Sequence, residues 1–504
     1  MSEPEAVEIE SKPKPKPKRP PRKRGLSRAA ALMGARVAAG IVGLGVAAAA
    51  IAGAGLLPLP TLRAEPPSVN VEPEPTAQEI VCPGGLLRLG DEIGQNASSA
   101  TSIGQPIVAV GSSVGEPSTG SIEGAAKNAE SAPATVSATP SKGEAPLVAA
   151  SQSEVADRAD LRGLATAACS PATTDAWLVG GATTVGRITL VSLANPSDVA
   201  ASVDLRVWGE RGPIDAVGLT GISVQPRSQR VIPLAGFAPD TVSPVVRVSS
   251  DGGRIVASLQ QTVVRGLEPG GVDIVGAAAG ASRNHVIPGI VVSNGEEIEQ
   301  LIGSPGYLDL GAVIRVLVSG SSATEVTVTV RPENGSIEGE TFSLEVEGGV
   351  VTELPIEELA DGSYTVEVSA RVPLVAAVRF ATIAAKPGPD DSTANDFAWA
   401  ATAPALPDEA LFATAEAPAP QLHIANATDA AASVTITAQG GASSTLTVPA
   451  GTSIATPLES STTYALSGAE GLRASVSNLD EGRVSAFAVQ APAEASSPLR
   501  VYPR

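Results

Sequence analysis

Asn195-Pro196-Ser197-Asp198, followed by Ser202-Val203-Asp204-Leu205, recurs as Asn426-Ala427-Thr428-Asp429 followed by Ser433-Val434-Thr435-Ile436. A degenerate copy reads Gly320-Ser321-Ser322-Ala323, then Glu325-Val326-Thr327-Val328. In each, a turn of small and polar residues leads into apolar–polar alternation, the period of a half-buried strand. Downstream, Val224-Gln225-Pro226-Arg227-Ser228 with Ile232-Pro233-Leu234 matches Val448-Pro449-Ala450-Gly451-Thr452 with Thr456-Pro457-Leu458. The middle copy has Val346-Glu347-Gly348-Gly349-Val350 with Leu354-Pro355-Ile356. Each copy closes on a similar strand: Arg254–Leu259, Pro373–Val378 and Arg483–Ala488. Three elements in one order, three times, predict three tandem immunoglobulin-like β-sandwich units.

The cores of these units start near Asp175, Tyr307 and Asp396. Asp175-Ala176-Trp177 echoes Asp396-Phe397-Ala398-Trp399, which sets Trp177 and Trp399 at matching positions. Val245–Ser249 and Ile255–Val264 flank Asp251-Gly252-Gly253, read as a hairpin turn. Hydrophobic residues make up 43% of the chain, enough for packed cores, but only 3% is aromatic, so Val, Ile, Leu and Ala must fill them. Alanine favours helix; 51 Gly and 42 Pro interrupt it, so the fold class is mainly β.

Outside the repeats the chain divides by composition. Residues 1–36 hold ten Lys or Arg against four Glu, and 37–57 hold no charge. After residue 57 come 24 basic and 49 acidic residues, so the net charge of −19 hides a basic head and an acidic body. That body repels nucleic acid and anionic lipid, so no nucleic-acid partner is expected. The apolar run Val37–Leu57 has the roughly 20 residues a membrane-crossing helix needs. Lys12-Pro13-Lys14-Pro15-Lys16-Pro17-Lys18-Arg19 and Arg22-Lys23-Arg24 precede it, which keeps the N-terminus cytoplasmic and exports residues 58–504. Cleavage as a signal peptide near Ala52-Gly53-Ala54 is the rival reading.

The expected order is therefore a basic arm (1–36), a transmembrane helix (37–57) and a Pro/Glu stalk (58–79). Strands at 80–110 and a low-complexity disordered insertion at 111–160 follow. The sandwich units are then expected at 161–285, 286–386 and, with a linker, 387–504. Cys82 and Cys169 are the chain's two cysteines, both on the exported side, and read as one disulfide.

Val81-Cys82-Pro83-Gly84-Gly85-Leu86-Leu87-Arg88-Leu89, Arg162-Gly163-Leu164-Ala165, Trp177-Leu178-Val179-Gly180-Gly181, Ile287-Pro288-Gly289 and Asp396-Phe397-Ala398-Trp399 resemble Domain of Unknown Function 5719. The resemblance covers nearly the whole exported part. It implies an actinobacterial, membrane-anchored secreted protein, and brings no reaction, ligand or functional residue with it.

Candidate chemistry is sparse. Gly111-Ser112-Ser113-Val114-Gly115 matches the hydrolase nucleophile elbow, but that turn needs a helix after Ser113 and Glu116-Pro117-Ser118-Thr119-Gly120 does not start one. His285 and His423 are the chain's two histidines and read as surface or strand-face residues. Asp390-Asp391 with Asn395-Asp396 lacks the spacing of a calcium loop and reads as a solvated linker. Trp208, before the turn Gly209-Glu210-Arg211-Gly212, is the aromatic best placed to contact a ligand. Asn96, Asn334 and Asn426 form glycosylation sequons of little meaning in a bacterial chain.

The expectation is a non-enzymatic protein of the cell envelope, a scaffold or binding array on the outer face of the membrane. It contacts the membrane through 37–57 and cell-wall glycan or envelope proteins through its body, with no cofactor, metal or small-molecule substrate. A carbohydrate-binding accessory protein for a wall-building enzyme and an envelope hydrolase are the alternatives.

Overall fold

The computed structural model describes residues 28–56, 69–71, 74–90, 100–126, 128–304, 306–357, 359–385, 394–492 and 499–501. The chain divides into two compact units, 1–71 with 500–504, and 72–499. The first holds the helix Arg28–Leu56, which contains nearly all of the apolar run. Val37, Ile41, Val42, Leu44 and Val46 on it are exposed. Among the described residues no helix is long and apolar enough to cross a membrane.

The second unit is mainly β, in a manner consistent with β-sandwiches. In the first repeat, Arg187–Asn195 lies between Ser228–Pro233 and Val256–Arg265, and Glu268–Val275 closes the sheet. Asp175–Val179, Val245–Gly252 and Ala201–Gly209 run in order in a second sheet, with Gly212–Ile214 and Ile222–Val224 beyond. Val191, Leu193 and Leu259 of one sheet share a core with Val203, Leu205 and Val248 of the other. The third repeat has the same order: Thr452–Pro457, Gln421–Asn426, Arg473–Asp480, Arg483–Ala488 in one sheet. Its other sheet runs Glu409–Ala413, Thr463–Ser467, Ala432–Ala438, Ser443–Val448.

The two repeats agree down to single atoms. Asn195 Nδ2 donates to the Val199 and Val224 carbonyls, while its Oδ1 accepts from Ser197 N–H and Oγ. Asn426 Nδ2 donates to Ala430 and Val448, and its Oδ1 accepts from Thr428 N–H and Oγ1. The Asn-x-Ser/Thr pattern is thus an Asx turn that fastens the corner between sheets. Val203 pairs with Ile222, Val326 with Leu344 and Val434 with Leu446, and all three valines are fully buried.

Asp251-Gly252-Gly253 is not a hairpin. Val245–Gly252 and Val256–Arg265 lie in different sheets, so the glycines carry the chain across the core. The second repeat has Ala370-Arg371-Val372-Pro373 at the equivalent place, with no glycine, and the strand does not break. Gly362–Ile383 runs for 22 residues. Its first half pairs with Ser282–Val292 and Thr324–Pro332, its second with Val313–Val318 and Asn395–Ala401.

The expected boundaries shift accordingly. Asn395–Ala401 closes the second repeat, in register from Ile383↔Asn395 to Ala377↔Ala401, and does not open the third. It stands where Glu268–Val275 stands in the first, so Trp177 and Trp399 are not equivalent. His285 lies on the first strand of the second repeat, not at the end of the first. Leu161–Ala168 joins Val148–Arg158 and Ile107–Ser112 in a separate sheet. The expected disordered insertion at 111–160 is ordered: Ser118–Ser121, Ala134–Ala138 and Val148–Arg158 are strands. Its sequence hides this because Ser151, Gln152, Ser153 and Glu154 are polar yet buried, which erases the apolar–polar alternation.

Candidate functional site

The site most built up from polar groups lies where four sheets meet. Leu161–Ala168, Glu268–Val275, Asn395–Ala401 and Arg483–Ala488 are each an outer strand of their sheet, and an outer strand leaves main-chain N–H groups unpaired. Asp396, fully buried, accepts from Leu164 N–H at 2.8 Å, Val272 N–H at 3.0 Å and Val484 N–H at 3.2 Å. One carboxyl group thereby ties three other sheets to its own. A side chain on Gly271, whose φ is +113°, would meet Asp396 Oδ1 at 2.6 Å, which fixes glycine there. Burial pushes the Asp396 carboxyl up to about 8, against the pull of its N–H donors. Asp273 beside it is also pushed well above the carboxylate range by burial, and its Oδ2 accepts from Trp399 N–H at 2.7 Å.

Trp399 extends this junction. Its Nε1 donates to Gln261 Oε1 at 2.7 Å, and the Arg315 guanidinium lies 4.4 Å over its ring, with that of Arg379 at 5.8 Å. Arg315 is fully buried; it bonds Glu353 and the carbonyls of Gly181, Val242 and Pro244, and burial brings it down to about 10.

A second polar line joins the second and third repeats. His423 Nε2 lies 2.7 Å from Ser477 Oγ, and its Nδ1 bonds Glu333 Oε2. Glu333 Oε1 accepts from Gly289 N–H at 2.9 Å and Thr365 Oγ1 at 2.6 Å. Gly289 has φ +82°, and a Cβ there would meet Ser475 Oγ at 2.4 Å and the His423 ring at 2.9 Å. Serine, histidine and carboxylate stand in the order of a catalytic triad. His423 and Ser477 are 0% and 2% exposed, however, so no carbonyl reaches Ser477 in this fold.

The N-terminal motif is also anchored. Cys82 and Cys169 form the expected disulfide. Gln152 donates to Gly84 O and accepts from Gly84 N–H, and Gln260 does the same with Leu87. Glu154 Oε2 accepts from Leu86 N–H at 2.7 Å, and burial raises Glu154 to about 7.

A family model described as a family of unknown function, DUF5719, matches residues 124–459. The chain belongs to that family. Most of the second unit described above, including Asp396, Leu164, Val272 and both histidines, falls within the matched DUF5719 region, while Val484 lies beyond it. No curated protein matches. Among solved structures, the crystal structure of Thermotoga maritima 1070 is similar at 15% identity, over 24% of this chain and 95% of that one, with a TM-score of 0.18.

The remaining sequence candidates of this DUF5719 chain are placed as follows. Ser113 is exposed; its Oγ accepts from Leu147 N–H at 2.9 Å, and the next element is the strand Ser118–Ser121, not a helix. No hydrogen bond joins it to His285 or His423 among the described residues. His285 is buried rather than at the surface, its Nε2 2.7 Å from Leu374 O, and burial lowers its pKa. Trp208 is half-buried and stacks on Trp177 at 5.6 Å, with Arg247 5.2 Å over the Trp177 ring. Asp390, Asp391 and Asn96 lie outside the described residues. Among the described residues no group of His, Cys, Asp and Glu is placed to hold a metal ion. Sequence reasoning missed Glu333, Ser477, Asp273, Arg315 and Arg379. Asp273, Arg315 and Arg379 gave a signal, as charges flanked by apolar strand neighbours.

Proposed function

We propose that this chain is a non-enzymatic, membrane-anchored brace of the cell envelope, built from three tandem immunoglobulin-like units. The Asp396 junction carries the reading. A buried carboxyl group that accepts N–H groups from three other sheets fixes the repeats against one another, as a spacer or scaffold requires and a flexible string of modules does not. The exposed apolar helix and the basic residues ahead of it support an anchor at 37–57 with the N-terminus inside. Cell-wall glycan or envelope proteins are the proposed partners. Protease added to intact, wall-stripped cells is expected to digest the chain beyond Pro58 and spare residues 1–36; protection of the large C-terminal part defeats the reading.

The buried Ser477–His423–Glu333 line favours a second reading, an envelope hydrolase that opens before it acts. A fluorophosphonate probe and Ser477→Ala separate the two. The brace is expected to show no labelling of Ser477 and an unchanged phenotype in a folded Ser477→Ala chain. Labelling lost in the variant establishes the hydrolase. The tryptophans count against a sugar-binding platform, since Trp177 and Trp399 are buried and Trp208 stacks on Trp177.

A further inference from the structure

A cleft of about 620 Å³ opens in the second repeat, between the helix Gly295–Ile302 with the turn Leu308–Leu310 and the sheet strands Val351–Pro355 and Gly362–Ile383. Its volume is in the range that holds a small organic molecule. Ile298, Ile302, Leu310, Ile356, Leu359 and Phe380 make its walls apolar. Arg379 lines the same cleft. Its Nε is buried and has no hydrogen-bond partner among the described residues. Glu353 also lines the cleft, and its Oε1 accepts from Arg315 Nε at 3.0 Å and Nη2 at 2.6 Å. Asp309, the other acid near Arg379, is held by Arg187 and Arg265 at 2.8 Å each. Glu299 and Glu357 line the cleft too, but both are exposed, where water screens them.

An arginine lining an otherwise apolar cleft selects a ligand with one anionic end and an apolar remainder. The guanidinium forms paired, charge-assisted hydrogen bonds with a carboxylate. The walls take up an aliphatic chain by removing it from water. We infer that this cleft, with Arg379 meeting the head group, binds an aliphatic carboxylate.

The test uses the full chain in lipid nanodiscs and dodecanoate carrying a diazirine at its methyl end. After photolysis, adducts are mapped by mass spectrometry. Adducts are expected in 292–313 and 351–359, at least tenfold fewer with Arg379→Gln, and unchanged with Arg227→Gln, an exposed arginine distant in sequence. The matching diazirine alcohol is expected to label these peptides no more than a tenth as well. Equal labelling by acid and alcohol, equal labelling of Arg379→Gln, or adducts confined to other segments overturns the assignment. Ile302→Trp fills the cleft without touching Arg379 and decides the matter if Arg379→Gln does not fold. Loss of labelling in that variant upholds the site, and labelling at the level of the unmodified chain refutes it.

Discussion

Asp396 concentrates on one side chain what an interface usually spreads over many. Asp396→Ala leaves the N–H groups of Leu164, Val272 and Val484 buried without an acceptor. At about 1–3 kcal/mol for each orphaned donor, a loss on the order of 3–9 kcal/mol is expected by urea unfolding. A loss under about 1 kcal/mol would show that the junction is held by packing alone. Glu154 and Asp396 also set a pH dependence. Their folded-state pKa values, about 7 and about 8, exceed the ordinary 4.5 and 3.8, so the folded chain retains protons that the unfolded chain releases. The stability this contributes is complete below the ordinary values and is lost as pH rises toward 7 and 8. Glu154→Gln is therefore expected to shrink the fall in thermal midpoint between pH 5 and pH 8, measured by differential scanning fluorimetry. An undiminished fall contradicts the buried carboxyl.

Strands and their corners define the next scale. Val203, Val326 and Val434 take equivalent inward positions on equivalent strands, so Val→Ala at each is expected to cost about 1–3 kcal/mol, with Asp at the same places worse. Denaturant melts of the three alanine variants measure this; a near-zero cost at any one would remove that strand from the repeat. The disulfide acts on the denatured chain. Cys82 and Cys169 are 87 residues apart. Closing that loop contributes about 4–5 kcal/mol in the chain-entropy model. Cys82→Ala with Cys169→Ala is expected to lower the unfolding midpoint sharply, and an unchanged midpoint would mean that Gln152 and Gln260 alone hold the 82–87 segment.

At the scale of the whole chain, residues 72–499 form one compact unit, although the sequence repeats three times within it. Their outer strands converge on Asp396, and the long strand Gly362–Ile383 serves both halves of the second repeat. Calorimetry is therefore expected to give one cooperative transition for 72–499, not three. Deleting residues 387–504, cut where the sequence repeats divide, is expected to leave an aggregating chain, because it removes Asn395–Ala401 from the second repeat's sheet. Three resolved transitions, or a soluble, folded 1–386, would return the repeats to independent modules.

Much of this was legible in the residues, and the limit of legibility has a physical cause. The mainly β class, the buried valines and the disulfide follow from local periodicity, turn chemistry and cysteine count, each expressed within a few neighbouring positions. Membership of DUF5719 was carried by motifs such as Ile287-Pro288-Gly289 and Asp396-Phe397-Ala398-Trp399. Why those motifs read as they do was not. Gly289 answers to the His423 ring, and Asp396 to N–H groups more than two hundred residues before it and some ninety after it. The order in 111–160 was hidden for the same reason, since Gln152 and Glu154 are polar residues buried for the sake of the 84–87 main chain. The assignment of Asn395–Ala401 to the second repeat was a choice between two sheets, and a sequence echo of Asp175–Trp177 pointed to the wrong one. Periodicity tells a strand which face to bury; which sheet it joins is set by partners that only the folded chain brings within hydrogen-bonding distance.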